Sequence, residues 1–103
     1  IIDIGGESTR PGSKAINEKL EWSRINRTLK SICKKVSVSL DSRKSKIMKK
    51  GIKLGVKIIN DVSGLNYDTE TKNIFFKRWI KDSAYVKRLR ISLSLSKRFM
   101  FMP

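Results

Sequence analysis

The chain has 103 residues, 24 Lys and Arg against 9 Asp and Glu, a formal charge of +15, one cysteine and no histidine. That length suits one small domain with a modest core. Cys33 alone cannot form an internal disulfide and fits a reducing compartment, and without histidine there is no imidazole for metal ligation or acid–base chemistry.

No apolar run reaches membrane-spanning length and nothing reads as a signal peptide, so the expected setting is cytoplasmic, with no membrane partner. A start at Ile1, inside an apolar run, predicts a piece whose amino end is missing. The high positive charge raises nucleic acid as a partner. However, the lysines, among them Lys34, Lys35, Lys44, Lys46, Lys49, Lys50, Lys53 and Lys57, mostly map to the polar faces of predicted helices. No zinc-finger spacing, basic zipper or RNA-binding aromatic motif accompanies them, so nucleic acid is not the favoured partner.

Along the chain the pattern is strand, loop, helix, repeated. Ile1-Ile2-Asp3-Ile4 stops at Gly5-Gly6, as a buried parallel strand would. A polar loop follows, Glu7 to Ser13, with a Pro11-Gly12 turn signal. Asn17 suits a helix amino cap, and Leu20, Trp22, Ile25, Leu29, Ile32, Cys33 and Val36 recur in steps that give one helical face. Cys33 on that stripe reads as a packed core thiol.

The second unit opens on the alternating Val36-Ser37-Val38-Ser39-Leu40 and ends at Asp41. Ser42-Arg43-Lys44 is expected to start the next helix, with Ile47, Met48 and Leu54 as its buried points, Gly51 weakening it and Gly55 as its carboxyl cap. The third unit is Val56 to Ile59, ending at Asn60-Asp61, with a further helix from about Thr69 to Phe76. Strands are thus expected near 1–4, 36–41 and 56–60, and helices near 17–35 and 43–54.

Strands separated by helices pair in parallel. Each of the three delivers polar groups at its carboxyl end, where both barrels and open parallel sheets bind ligands. A lone strand-end aspartate serves equally well as a helix cap; three polar strand ends in succession favour a site.

The string Asp3-Ile4-Gly5-Gly6-Glu7-Ser8-Thr9-Arg10-Pro11-Gly12 resembles the signature of the dihydropteroate synthases nearly letter for letter. Val38-Ser39-Leu40-Asp41-Ser42 is similar to that family's strand ending in Asp-Thr, and Gly55 to Gly64 to its Gly-x-x-Ile-Ile-Asn-Asp stretch. The likeness covers about residues 1–74. It implies a partial (β/α)8 TIM barrel, three parallel strands with intervening helices, plus an irregular basic tail. It also implies a transferase of folate biosynthesis, in which the amine of 4-aminobenzoate displaces pyrophosphate from a dihydropterin methyl diphosphate. Magnesium would assist the leaving group, and the family is usually dimeric.

Carried over residue by residue, Asp41 and Asn60 match the pterin-binding positions, and Thr9 and Arg10 match a mobile loop over the diphosphate and the aminobenzoate. Gly5, Gly6, Pro11 and Gly12 are expected to shape that loop, and Glu7 and Asp61 to bond neighbouring groups structurally. No catalytic residue and no metal ligand is assigned. The metal-binding asparagine would lie ahead of Ile1, and a second pterin aspartate, a Ser-Arg-Lys segment and an Arg-x-His clamp have no counterpart. The piece is therefore expected to be inactive alone.

Residues 75–103 carry no family motif, and only Asp82 faces eight Lys and Arg there. Ile91 to Phe101 alternates without a foreseeable partner strand, and a reading-frame shift near residue 75 is the expected origin. The competing reading of the whole chain is a small basic nucleic-acid-binding protein with relic barrel motifs.

Overall fold

The computed structural model describes residues 1–76, 89–93 and 98–102. In order these form β1 (Ile2–Gly5), α1 (Glu18–Ile32), β2 (Val38–Asp41), α2 (Ser45–Leu54), β3 (Ile58–Asp61), α3 (Thr71–Phe76), β4 (Leu89–Leu93) and β5 (Arg98–Met102). The sheet order is β1-β2-β3-β4-β5. The first four strands pair in parallel and β5 pairs antiparallel to β4. Sequential order without reversal is that of a stretch of (β/α)8 barrel, whereas a doubly wound sheet reverses at its switch point.

The register sorts residues into rows across the sheet. Ile4, Leu40 and Ile59 align, and Ile91 of β4 extends that row. From this row Leu40 and Ile59 pack beneath the helices, fully buried together with Ile25 and Leu29 of α1 and Ile47, Met48 and Ile52 of α2. Each such side chain contributes about 1.5–3 kcal/mol on burial. Cys33 belongs to the same core, and burial pushes its thiol up from its usual range. Because side chains alternate along a strand, the next row, Gly5, Asp41 and Asn60, belongs to the other face, at the carboxyl ends of the strands.

Local signals explain most element ends. Asn17 caps α1 by accepting the Leu20 N–H at 2.8 Å. Gly55 ends α2 in the left-handed region at φ 104°, where a β-carbon would be strained. Gly51, expected only to weaken α2, lies where helix and sheet touch, since a β-carbon there would collide with the Leu40 side chain.

Four expectations are corrected. Leu20 and Val36 are exposed rather than on the buried stripe, and Glu21 shares the buried face with Ile25 and Leu29. The second strand begins at Val38, because the chain still turns at Lys35 and Val36, whose N–H groups donate to the Ile32 carbonyl. Helix α2 begins at Ser45, two residues late: Lys44 is extended, and the Ser45 N–H is capped by the distant Asp68 carboxylate at 2.7 Å. Burial works against the ionised Asp68, yet the N–H donors of Ser45 and Glu70 hold its pKa below the usual range. Lastly, the tail is not wholly irregular. It supplies β4 and β5, and β4 finds in β3 the partner that its alternation lacked in sequence. The remainder of 75–103 lies outside the described residues.

Candidate functional site at the carboxyl edge of the sheet

Asp41 and Asn60, taken from separate motifs, are direct neighbours across β2 and β3, and Gly5 completes their row from β1. Gly5 has a packing reason: a β-carbon there would sit 3.0 Å from the Asp41 carbonyl oxygen and 3.1 Å from the Asp41 β-carbon. Burial raises the Asp41 carboxyl to about pKa 6, reinforced by the negative charges of Asp3, Asp61, Glu21 and Glu7. Its side chain makes no hydrogen bond to the described residues. Beside it, the Asn60 Oδ1 is buried without a hydrogen-bond partner among the described residues. A buried orphan acceptor is costly in a finished fold and commonly marks a group reserved for a ligand. An acceptor carboxylate next to an amide that both donates and accepts matches the edge of a nitrogen heterocycle.

Thr9 and Arg10 lie in the exposed loop between β1 and α1. Ser13 closes this loop, its hydroxyl donating to the carbonyl oxygens of Arg10 at 2.7 Å and Ser8 at 2.9 Å. Gly12 supplies the turn at φ 82°. Both residues line an open pocket of about 220 Å³, together with Glu7, Ser8, Ser13 and Arg43. Asp41 and Asn60 are not among its walls. The four expected residues thus fall in two adjoining patches of one sheet edge, a heterocycle-matching pair and a basic, hydroxyl-lined pocket.

A charged network underlies the pocket. Glu7 accepts from Arg43 Nε at 2.9 Å, Lys44 Nζ at 3.0 Å and the Ile16 N–H at 2.9 Å. Burial alone would raise its carboxyl; these three donors override that and hold it at about pKa 2. Lys44 also donates to Glu21 Oε1 at 2.6 Å, and the Ser42 hydroxyl donates to Glu21 Oε2 at 2.7 Å. Arg24 reaches the Gly6 carbonyl at 2.9 Å. Asp61 accepts from the Ser63 N–H, the Ser63 hydroxyl and the Leu65 N–H, bracing a turn in which Gly64 and Leu65 both take positive φ. The structural roles expected for Glu7 and Asp61 are therefore what the geometry displays.

Sequence reasoning missed Glu21, Arg43, Lys44 and Tyr67. Arg43 and Lys44 were placed in a helical start, and Lys44 on a solvated face; its side chain is only 13% exposed. One signal pointed to Glu21: it stands four residues before Ile25 and eight before Leu29, on their face. Among the described residues no three His, Cys, Asp or Glu side chains converge.

An incomplete parallel α/β barrel with ligand-ready groups at its carboxyl edge defines the class of protein. The pterin binding enzyme family model matches residues 1–78, and the chain belongs to that family. It is 40% identical over 76 residues to the dihydropteroate synthase of Bacillus subtilis, covering 72% of this chain and 27% of that protein. Against the dihydropteroate synthase of Neisseria meningitidis serogroup C it is 46% identical over 68 residues, covering 64% and 24%.

Among solved structures, the dihydropteroate synthase of Clostridium difficile in the presence of pteroic acid superposes with a TM-score of 0.69 at 34% identity, covering 72% of this chain and 29% of that one. The enzyme of Anaplasma phagocytophilum with bound 6-hydroxymethylpterin-monophosphate gives 0.64 at 40% identity, covering 71% and 29%. The chain spans about a quarter of the length of these two curated relatives. Among the described residues no helix is long and apolar enough to cross a membrane.

Proposed function

We propose that this chain is the pterin-binding portion of a dihydropteroate synthase, which joins 4-aminobenzoate to a dihydropterin methyl diphosphate with loss of pyrophosphate. The observation that carries the reading is the Asp41–Asn60 pair, a carboxylate with no described hydrogen bond beside a buried, unpartnered amide oxygen. Asp41 would accept the N–H groups of the pterin ring edge and stabilise positive charge that develops on the ring as pyrophosphate leaves. Asn60 would bond the adjoining ring atoms through its amide.

Arg10, with Thr9 beside it, would hold the anionic groups of the substrates, a guanidinium being suited to phosphate and carboxylate oxygens. Magnesium, when bound, would neutralise charge on the leaving pyrophosphate. Its protein ligand would come from another part of a complete enzyme. A cytoplasmic setting, a dimeric assembly and no nucleic-acid partner complete the proposal. Residues 75–103, most of which lie beyond the family match ending at residue 78, would arise from a frame change near residue 75, which the other reading frames of the gene would reveal.

The direct test is a chemical-shift titration of the chain with 6-hydroxymethylpterin. Perturbations clustered on the Asn60 side-chain amide and the Asp41 and Gly5 backbone support the reading. Perturbations confined to the basic helix faces, or a preference for single-stranded RNA over pterin, overturn it.

A further inference from the structure

The proposed function uses one guanidinium, that of Arg10, yet the pocket has two. We infer that Arg43, stacked on Tyr67 and tied at one edge to Glu7, is a second oxyanion-binding guanidinium, and that with Arg10 it takes a diphosphate group. The choice of diphosphate rests on the synthase reading; the presence of an anion site does not.

Arg43 is already fixed in place. Its Cζ lies 3.8 Å from the centroid of the Tyr67 ring, and its Nε lies 2.9 Å from Glu7 Oε1. Stacking sets the plane of the fork and the Nε contact sets its rotation, so little side-chain entropy remains to be lost on binding. Only the Nε–H is spent on Glu7; the other N–H groups of the five have no partner among the described residues. The side chain is 28% exposed and forms part of the pocket wall.

The charge balance favours an anion. Glu7 and Glu21 are matched by Lys44 and Arg43 in one connected network. Arg10 has no ion pair among the described residues, so it leaves the pocket with an excess positive charge beside the hydroxyls of Ser8, Thr9 and Ser13. At about 220 Å³ the pocket is smaller than the roughly 300–1,000 Å³ that encloses a drug-sized ligand, so it suits an oxyanion group rather than a whole heterocycle. A purely structural Arg43 would serve to pair with Glu7, a carboxylate it shares with Lys44 Nζ at 3.0 Å. Such pairing needs neither an aromatic plate nor an open pocket.

The test titrates inorganic pyrophosphate into the full chain while following the arginine Nε–H resonances, with benzoate as a monoanionic control. Both the Arg10 and Arg43 signals are expected to shift. Arg43→Lys keeps the charge and the link to Glu7 but loses the fork, and is expected to weaken pyrophosphate binding about tenfold or more with an unchanged far-UV spectrum. Tyr67→Leu should weaken it by a smaller factor.

A stationary Arg43 signal, an Arg43→Lys affinity equal to wild type, or no pyrophosphate binding by the wild-type chain would each overturn the inference. A parallel pterin titration separates the two readings. Pterin binding without an Arg43 response to pyrophosphate sinks this inference alone, whereas an Arg43-dependent pyrophosphate response without pterin binding supports the anion site and sinks the pterin reading.

Discussion

Lys44 Nζ lies 2.6 Å from Glu21 Oε1, an ion pair that joins the loop after β2 to the first turn of α1 beneath the pocket. The Glu21 side chain is fully buried, and this partner and the Ser42 hydroxyl occupy its two carboxylate oxygens. Lys44→Met should destabilise the chain by about 3–5 kcal/mol, the scale for leaving a buried charge uncompensated. Replacing both members, as Lys44→Met with Glu21→Leu, should recover much of that loss. Urea unfolding of the single and double variants checks both statements.

Gly6 is tied to the same turn. A β-carbon there would lie 2.6 Å from the Glu21 carbonyl oxygen, a backbone atom that cannot swing aside. Gly6→Ala is expected to cost about 1–3 kcal/mol, the range for overpacking, and to disturb the Arg24 contact to the Gly6 carbonyl. By contrast, Gly12→Ala meets no atom within 4 Å and costs only the strain of its positive φ, about 1–2 kcal/mol. The difference between the two unfolding midpoints is the measurement.

The organisation of the fold was legible because its signals are local. Strand–loop–helix alternation, the Asn17 cap, the Gly55 cap and the polar strand ends all reside within a few residues of what they determine. Asp41 and Asn60 were found for the same reason: each closes its own strand, and parallel pairing then makes them neighbours. Lys44 and Glu21 were not, because residues 23 positions apart give no periodic sign that one buries the other. The start of α2 was misplaced since its cap comes from Asp68, across the fold. The pairing of β4 with β3 was hidden for a similar reason, as alternation shows a strand but not its partner.

Stability should pass through a maximum in mild acid. Asp41 is raised to about 6 from 3.8, so the fold favours its protonated form and gains stability as pH falls through about 6. Glu7 is depressed to about 2 from 4.5, so its contribution is complete above 4.5 and is lost as pH falls towards 2. The lowered Asp68 acts in the same sense as Glu7. Urea unfolding should show stability rising as pH falls from about 6 and greatest between about 3.8 and 4.5, where the Asp41 gain is nearly complete and the Glu7 loss has barely begun. Asp41→Asn should remove the rise on the neutral side and leave the acid fall intact.

The chain alone should not turn over substrate. The strands β1 to β4 make up only half of a closed eight-stranded barrel, and β1 leaves one edge of the sheet without a strand partner among the described residues. Incubation with pterin diphosphate, 4-aminobenzoate and magnesium should give no dihydropteroate above a no-protein control, and concentrated samples should associate. Measurable turnover would show that the described groups suffice for the chemistry.

The proposed pterin site requires Asp41 and Asn60 to act together on one heterocycle. Its most direct test is the affinity of the chain for 6-hydroxymethylpterin at neutral pH, by calorimetry or fluorescence, in wild type, Asp41→Asn and Asn60→Ala. Wild type should bind, and each variant should lose about tenfold or more, as expected when a buried hydrogen-bonding partner is removed. The double variant should lose less than the sum of the singles, because both contacts serve one ring. Wild-type affinity in both single variants, each folded by its far-UV spectrum, would contradict the central claim.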